Sequence, residues 1–244
     1  MLDDSSLTSY IINVPGQTVR LELARARAAS VGLETQVFAA RTGDAAASIG
    51  LTPGEVGCFL SHRDLMRTIA GQPSDSLHLV LEDDVLFLDS FRPTVERIRA
   101  ERPRAEVIQL GWIPPPEEAT AVGLAADRAR SSAAVRRFAR LFRNNVTPVR
   151  PLLRRAMFGW GSHCYLITPA GAAFFAELLD VDRTIRAPLD AYLRALSLVG
   201  GPGFALRPNF PVAVQDPGLP STIQATSTGL RQIDDRGRLL RHVD

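Results

Sequence analysis

The residues best suited to chemistry are three adjacent acids, Glu82-Asp83-Asp84. They follow the short apolar run that begins at His78 and precede a second one, Val85-Leu-Phe-Leu88, which pins them at the carboxyl end of a buried strand. Neighbouring carboxylates repel one another, so this placement stabilises nothing unless a cation neutralises them. Hard oxygen ligands suit Mg²⁺ or Mn²⁺, which keep coordination positions open for water and phosphate oxygens. A solvated loop capping the next element is the plainer alternative, and the flanking apolar runs favour the metal. Other chemistries are excluded by composition. All 28 cationic side chains are arginine, which removes Schiff-base enzymes and the phosphate-cradling lysine of a P-loop. Cys58 and Cys164 lie far apart with no CxxC or Cys/His ligand spacing, so neither a disulfide framework nor a zinc site is expected. Ser61-His62 lacks the nucleophile elbow of a serine hydrolase and reads alone as a satisfied polar pair.

The elements that must position these groups alternate between strand and helix. A strand over Ser9 to Val14 is closed by Pro15-Gly16, a helix runs from Thr18 to Ser30 with Gly32 at its C′ position, and a second strand covers Thr35 to Ala39. Thr52-Pro53-Gly54-Glu55 carries a threonine N-cap, proline at the first helical position and a capping-box glutamate, opening a helix to about Ala70. The acidic strand follows, then a helix from Arg92 to Glu101 and a strand from Glu106 to Leu110. Beyond a weakly periodic stretch come a strand from Ser162 to Thr168, helices over Pro169 to Leu179 and Pro188 to Leu198, and short strands near Phe204 to Leu206 and Pro211 to Val214. This pattern predicts an α/β fold with a mostly parallel central sheet flanked by helices, whose ligands bind at the carboxyl ends of the strands.

At 244 residues, 45% hydrophobic and 22% charged, the chain can bury one large core, and one domain spanning residues 1–244 is expected. The net charge of +2 conceals an uneven distribution. Nine arginines and no acid lie between Arg128 and Arg155, within a basic insertion of about 113–157, and the tail of about 221–244 is polar. Besides a solvated loop, such a block suits an anionic acceptor or an anionic membrane surface. Phe138 and Phe142 are its only aromatics and no binding module is recognisable, so nucleic acid is not expected as a partner. The start MLDDSSLTSY carries acids where a secretory signal carries bases and has no apolar h-region, which predicts a cytoplasmic protein, free or peripheral to the inner membrane face.

Five motifs stand in order along the chain: Ile12-Asn13 with Arg20, Gly57-Cys58-Phe-Leu-Ser61-His62, Val80-Leu-Glu-Asp-Asp-Val85, Gly161-Ser-His-Cys-Tyr165 running on through Gly171-Ala, and Pro188-Leu-Asp190. In that order and spacing, from about Ser9 to Ile223, the sequence resembles the family 25 glycosyltransferases, which include bacterial lipooligosaccharide and collagen galactosyltransferases.

The resemblance implies a GT-A type, Rossmann-like nucleotide-sugar fold in which a DxD-type motif holds Mn²⁺ or Mg²⁺ on the donor diphosphate. It implies metal or diphosphate ligation by Asp84 first and Asp83 second, with Glu82 toward the donor ribose or sugar. Asn13 and Arg20 would receive the nucleotide, Ser61 and His62 would face the donor pocket, and Ala39-Ala40 would sit beside the stacked base. Arg41-Thr42-Gly43-Asp44 departs from the acid and glycine that the family often carries there. An inverting transfer needs a base for the acceptor hydroxyl, and Asp190 is the candidate, a first-turn helix acid being its alternative reading. His163 reads equally as a ligand, a second-sphere group or a strand-edge histidine. Gln215-Asp216 and Ser221-Thr222-Ile223 match the family ending and would close over the donor. The expected activity is transfer of a hexose, galactose from UDP-galactose, to a hydroxyl of a cell-envelope glycan or glycolipid in lipopolysaccharide biosynthesis. The alternatives are a catalytically silent GT-A-like binding protein and a metal-dependent phosphoester hydrolase.

Overall fold

The structure is a computed structural model that describes residues 7–44, 46, 48, 50–113, 153–155, 158–181, 184–200, 204–216 and 218–219. Most of the arginine-rich block and the whole of the tail from 221 lie outside the described residues, as does the expected closing segment Ser221-Thr222-Ile223.

The first half follows the alternation of the sequence. Strand β1 (Leu7–Asn13) leads into α1 (Thr18–Ser30), β2 (Thr35–Ala39), α2 (Pro53–Ala70), β3 (Leu77–Glu82), β4 (Val85–Phe87), α3 (Phe91–Glu101) and β5 (Val107–Gly111). The second half adds β6 (Leu153–Arg155), β7 (Cys164–Ile167), α4 (Pro169–Val181), α5 (Leu189–Val199), β8 (Ala205–Pro208) and β9 (Ala213–Gln215). Helix α2 begins as its sequence dictates: the Thr52 hydroxyl accepts from the Glu55 backbone and the Glu55 carboxylate accepts from the Thr52 backbone at 2.7 Å, with Pro53 at the first position. Gly32 takes φ +79° just after α1, the left-handed position at which a Cβ would be strained.

The main sheet has the order β2-β1-β3-β7-β5-β8-β6, with β9 bridging β5 to β4. Strands β2, β1 and β3 are mutually parallel, as are β5 and β8, whereas β7 runs antiparallel to both β3 and β5. The α/β sheet flanked by helices is as expected, with its parallel parts joined through the antiparallel β7, so that the sheet as a whole is mixed. Strand β7 begins beside the carboxyl end of β3, where His163 O accepts from Glu82 N at 3.0 Å, and runs back along the sheet from there.

Apolar residues cover both faces. Tyr10, Ile12, Val80, Tyr165 and Ile167 pack with α2, α4 and α5, while Ile11, Leu79, Leu81 and Leu166 pack with α1 and α3. Alternate residues of β1 and β3 thus enter different cores, the behaviour of strands buried on both sides. Because α1 and α2 lie on opposite faces, the connections leaving β1 and β2 part across the β1/β3 pair. A crevice opens there at the carboxyl ends of the strands.

Candidate functional site

That crevice is a cavity of about 300 Å³. Its walls come from the ends of β1 (Ile12, Val14), the loop after β2 (Ala40 to Gly43), the acidic turn between β3 and β4, and the first turns of α2. Gln17, just before α1, and Arg20 in its first turn complete it. Two glycines allow the loop after β2 to lie directly on α2. A Cβ at Gly57 would stand 2.6 Å from Arg41 O and 3.0 Å from Gly43 N, and one at Gly43 would collide with Pro53 O and Gly57 N. Ser61 ties the two together, accepting from Arg41 N at 2.8 Å and donating to Gly57 O at 2.6 Å.

The three acids have distinct environments. Asp83 is saturated: Arg20 Nε donates to Oδ1 at 3.0 Å and Asn13 Nδ2 to Oδ2 at 2.8 Å. Asp84 Oδ2 accepts from Gln215 Nε2 at 2.9 Å and from Arg20 at 3.3 Å, but its Oδ1 is buried with no hydrogen-bond partner. Burial, then the Glu82 charge, push the Asp84 carboxyl up to about 6, against the pull of Gln215 and Arg20. Glu82 is held the other way. Burial alone would raise its pKa, but His62, whose Nε2 stands 3.5 Å from Oε1, and the Ser162 hydroxyl, donating at 2.6 Å, bring it below the usual carboxylate range. His62 is fixed from behind, its Nδ1 lying 2.8 Å from the Tyr165 hydroxyl.

Asp190 lies in the first turn of α5, outside the cavity lining. Gly161 N donates to its Oδ2 at 3.3 Å and Ala191 N to its Oδ1 at 2.9 Å. Burial, helped by the Glu82 charge, raises its pKa in spite of those backbone donors. Residues Gly161 and Ser162 link it to the acidic turn, one bonded to Asp190 and the next to Glu82. His163 is buried rather than at a strand edge. Its ring is wedged against Gly111, where a Cβ would come within 2.5 Å of Nε2, and burial lowers its pKa although Glu82 opposes this.

Among the residues proposed from sequence, the cavity gathers Arg20, Ala40, Ser61, His62, Glu82, Asp83 and Asp84, with Asn13 bonded to Asp83 from beneath. Ala39 is exposed on β2 and does not line the cavity, because side chains alternate along the strand and Ala40 takes the inward position. Sequence reasoning missed Ser162, Tyr165 and Cys58 as site residues, all inside recognised motifs without a role, and it placed Gln215 over the donor without its bond to Asp84. Cys58 stands one helical turn from His62, a spacing that puts both on one face, and its sulfur, His62 and Glu82 present ligand atoms all within 4.8 Å of one another. The absence of ligand spacing inferred for this cysteine is thereby corrected.

The family model described as glycosyltransferase family 25 (LPS biosynthesis protein) matches residues 6–193, which include every element lining the cavity and Asp190. The chain belongs to glycosyltransferase family 25. Among curated proteins, the human inactive glycosyltransferase 25 family member 3 is 39% identical over 80 residues, covering 30% of this chain and 13% of the human protein. The rat probable inactive glycosyltransferase 25 family member 3 is 38% identical over 80 residues, 30% of this chain and 14% of that protein. The family 25 chain therefore spans a small fraction of the length of the curated relatives it matches. Among its described residues no helix is long and apolar enough to cross a membrane.

Proposed function

We propose that this family 25 chain is a metal-dependent, inverting glycosyltransferase of GT-A type that moves a hexose, galactose from UDP-galactose, onto a hydroxyl of a cell-envelope glycan or glycolipid on the cytoplasmic side. The single observation that carries this reading is Asp84 Oδ1: a buried carboxylate oxygen with no hydrogen-bond partner, at the carboxyl ends of the parallel strands, in a cavity that Arg20 also lines.

The donor set fits the expected ion. Asp84 is the oxygen ligand a hard divalent cation lacks here, and Mn²⁺ or Mg²⁺ would be held by it with water and phosphate oxygens filling the remaining positions. Asp83, bonded to Arg20 and Asn13, would orient Arg20 and the turn more than it ligates. When bound, the cation supplies Lewis-acid stabilisation of charge on the departing diphosphate. Arg20 gives a planar cation on the same wall, and Gln215 fixes the Asp84 carboxylate from β9. Glu82, kept ionised by His62 and Ser162, accepts hydrogen bonds from donor hydroxyls. Asp190, made a stronger base by burial, takes the acceptor proton.

The test is nucleoside diphosphate release from a panel of nucleotide sugars with Mn²⁺, with and without candidate acceptors. Release confined to one donor and dependent on metal is the expected result; calorimetry showing no donor binding with or without metal rejects the reading. A second reading is favoured by the names of the relatives, both of which carry the word inactive. A silent binding protein would bind donor and metal in the same calorimetry but release no diphosphate with any acceptor. The arginine block suits an anionic acceptor or membrane, and equal sedimentation with anionic and neutral liposomes at low salt counts against the membrane.

A further inference from the structure

We infer that Cys58, His62 and Glu82 form a second cation site, one for a thiophilic divalent ion such as zinc, on the α2 wall of the cavity and separate from the hard-metal position at Asp84.

His62 carries the inference. It is fully buried, its Nδ1 lies 2.8 Å from the Tyr165 hydroxyl, and its Nε2 has no hydrogen-bond partner. That nitrogen faces Glu82 Oε1 at 3.5 Å, too far for a good hydrogen bond, and a metal ion is a group that would bridge the two. The arrangement behind it is that of a ligating histidine: with Nε2 on a cation, Nδ1–H donates to the Tyr165 hydroxyl, which fixes both tautomer and ring. The second ligand, Glu82 Oε1, is 3.5 Å from Nε2 and is itself held by the Ser162 hydroxyl. That separation matches the edge of a tetrahedron with bonds of about 2.0–2.1 Å. Cys58 is the third. It shares the α2 face, and the three ligand atoms lie within 4.8 Å of one another, close enough to converge on one ion.

Sulfur, imidazole and one carboxylate form a donor set that selects zinc over magnesium or manganese. All three residues line the cavity, which leaves the fourth position facing its interior, the form of a three-ligand open site. Burial, then the charges of Glu82 and Asp190, keep the Cys58 thiol protonated until a cation arrives. Binding then releases that proton to solvent as the thiolate forms.

The test uses the full chain without any nucleotide sugar, so its outcome does not depend on the transferase reading. One equivalent of Co²⁺, in excess Mg²⁺, is expected to give the sulfur-to-cobalt charge-transfer band and the visible bands of a tetrahedral centre, both displaced by Zn²⁺. Cys58→Ser should abolish the charge-transfer band, Cys164→Ser should leave it, and Tyr165→Phe should weaken binding by about tenfold or more. A band absent from the wild-type protein, or one that survives in Cys58→Ser, overturns the site. In case the serine variant fails to fold, alkylation of the wild-type protein followed by peptide mapping gives an independent readout. Micromolar Zn²⁺ should slow modification of Cys58 by about tenfold or more, since a metal-bound thiolate is blocked; an unchanged rate also overturns it.

Discussion

Asp83 and Asp84 are chemically identical neighbours with opposite situations, and the difference is one of partners. Asp83 spends its oxygens on Arg20 and Asn13, while Asp84 keeps one oxygen buried and empty. Arg20 is the hinge of this asymmetry, since it touches both carboxylates and is itself nearly buried. Replacing it by methionine leaves two buried acids without their cation, so Arg20→Met should lose about 3–5 kcal/mol of stability in urea unfolding. The double change with Asp83→Asn should recover part of that loss, because the pair is coupled; a single variant within about 1 kcal/mol of wild type would show that the buried pair is not what holds this wall. Asp190 poses a different question, because two backbone donors occupy it at a helix start, as they would any first-turn acid. If it takes the acceptor proton, Asp190→Asn should cut turnover by about 10²–10⁴-fold with donor affinity unchanged in calorimetry. Near-normal turnover would leave Asp190 a helix-start acid and nothing more.

Helix α2 is the element on which the cavity depends, since it presents Cys58, Ser61 and His62 on one wall and receives the loop after β2 at its first turns. Its capping box anchors the end nearest the cavity, and Thr52→Ala should cost about 1 kcal/mol in thermal or urea unfolding. Gly57→Ala probes the other contact. The new methyl meets Arg41 O at 2.6 Å, so the loop must move off the helix, costing about 1–3 kcal/mol and weakening any nucleotide bound beneath that loop. If the alanine variant unfolds at the wild-type midpoint, the close approach is not a constraint. The capping box was legible in Thr52-Pro53-Gly54-Glu55 because every signal in it is local. Strand β4 was not: three residues after a two-residue turn read as the continuation of an apolar run, and only pairing with β9 makes them a strand. For the same reason the bond from Gln215 to Asp84 was not legible, since it is set by that pairing of distant strands. Cys58 and His62 were within reach at one helical turn, yet Glu82, their third partner, comes from another element.

At the scale of the whole molecule, the β1/β3 pair separates two cores and ends at the site, so whatever loosens β3 loosens the acidic turn it carries. The antiparallel β7 was beyond the sequence because its direction depends on a long connection, and it is this strand that brings Ser162, His163 and Tyr165 to the same end of the sheet as Glu82. The opposite end of β3 holds a different group, His78. It is buried between the pairing positions of Thr8 and Ile167, its ring stacks on Tyr10 at 6.0 Å, and its Nε2 is 2.7 Å from the Ser76 hydroxyl. Tyr10 is the titratable group against that ring, and burial alone sets the direction of the His78 shift, which is downward. A histidine held neutral in the folded state binds its proton more readily when unfolded, so the stability it permits is complete above its unfolded pKa of about 6.5 and is lost as the pH falls from there through the lower folded value. In this window Asp84, raised to about 6, works the other way and gains stability as it is protonated, so the His78 contribution is read by difference: His78→Gln should lose less melting temperature than the wild type on acidification below about pH 6.5. A glutamine variant with the same slope as the wild type would mean that the base of β3 accommodates the imidazolium and that acid unfolding begins elsewhere.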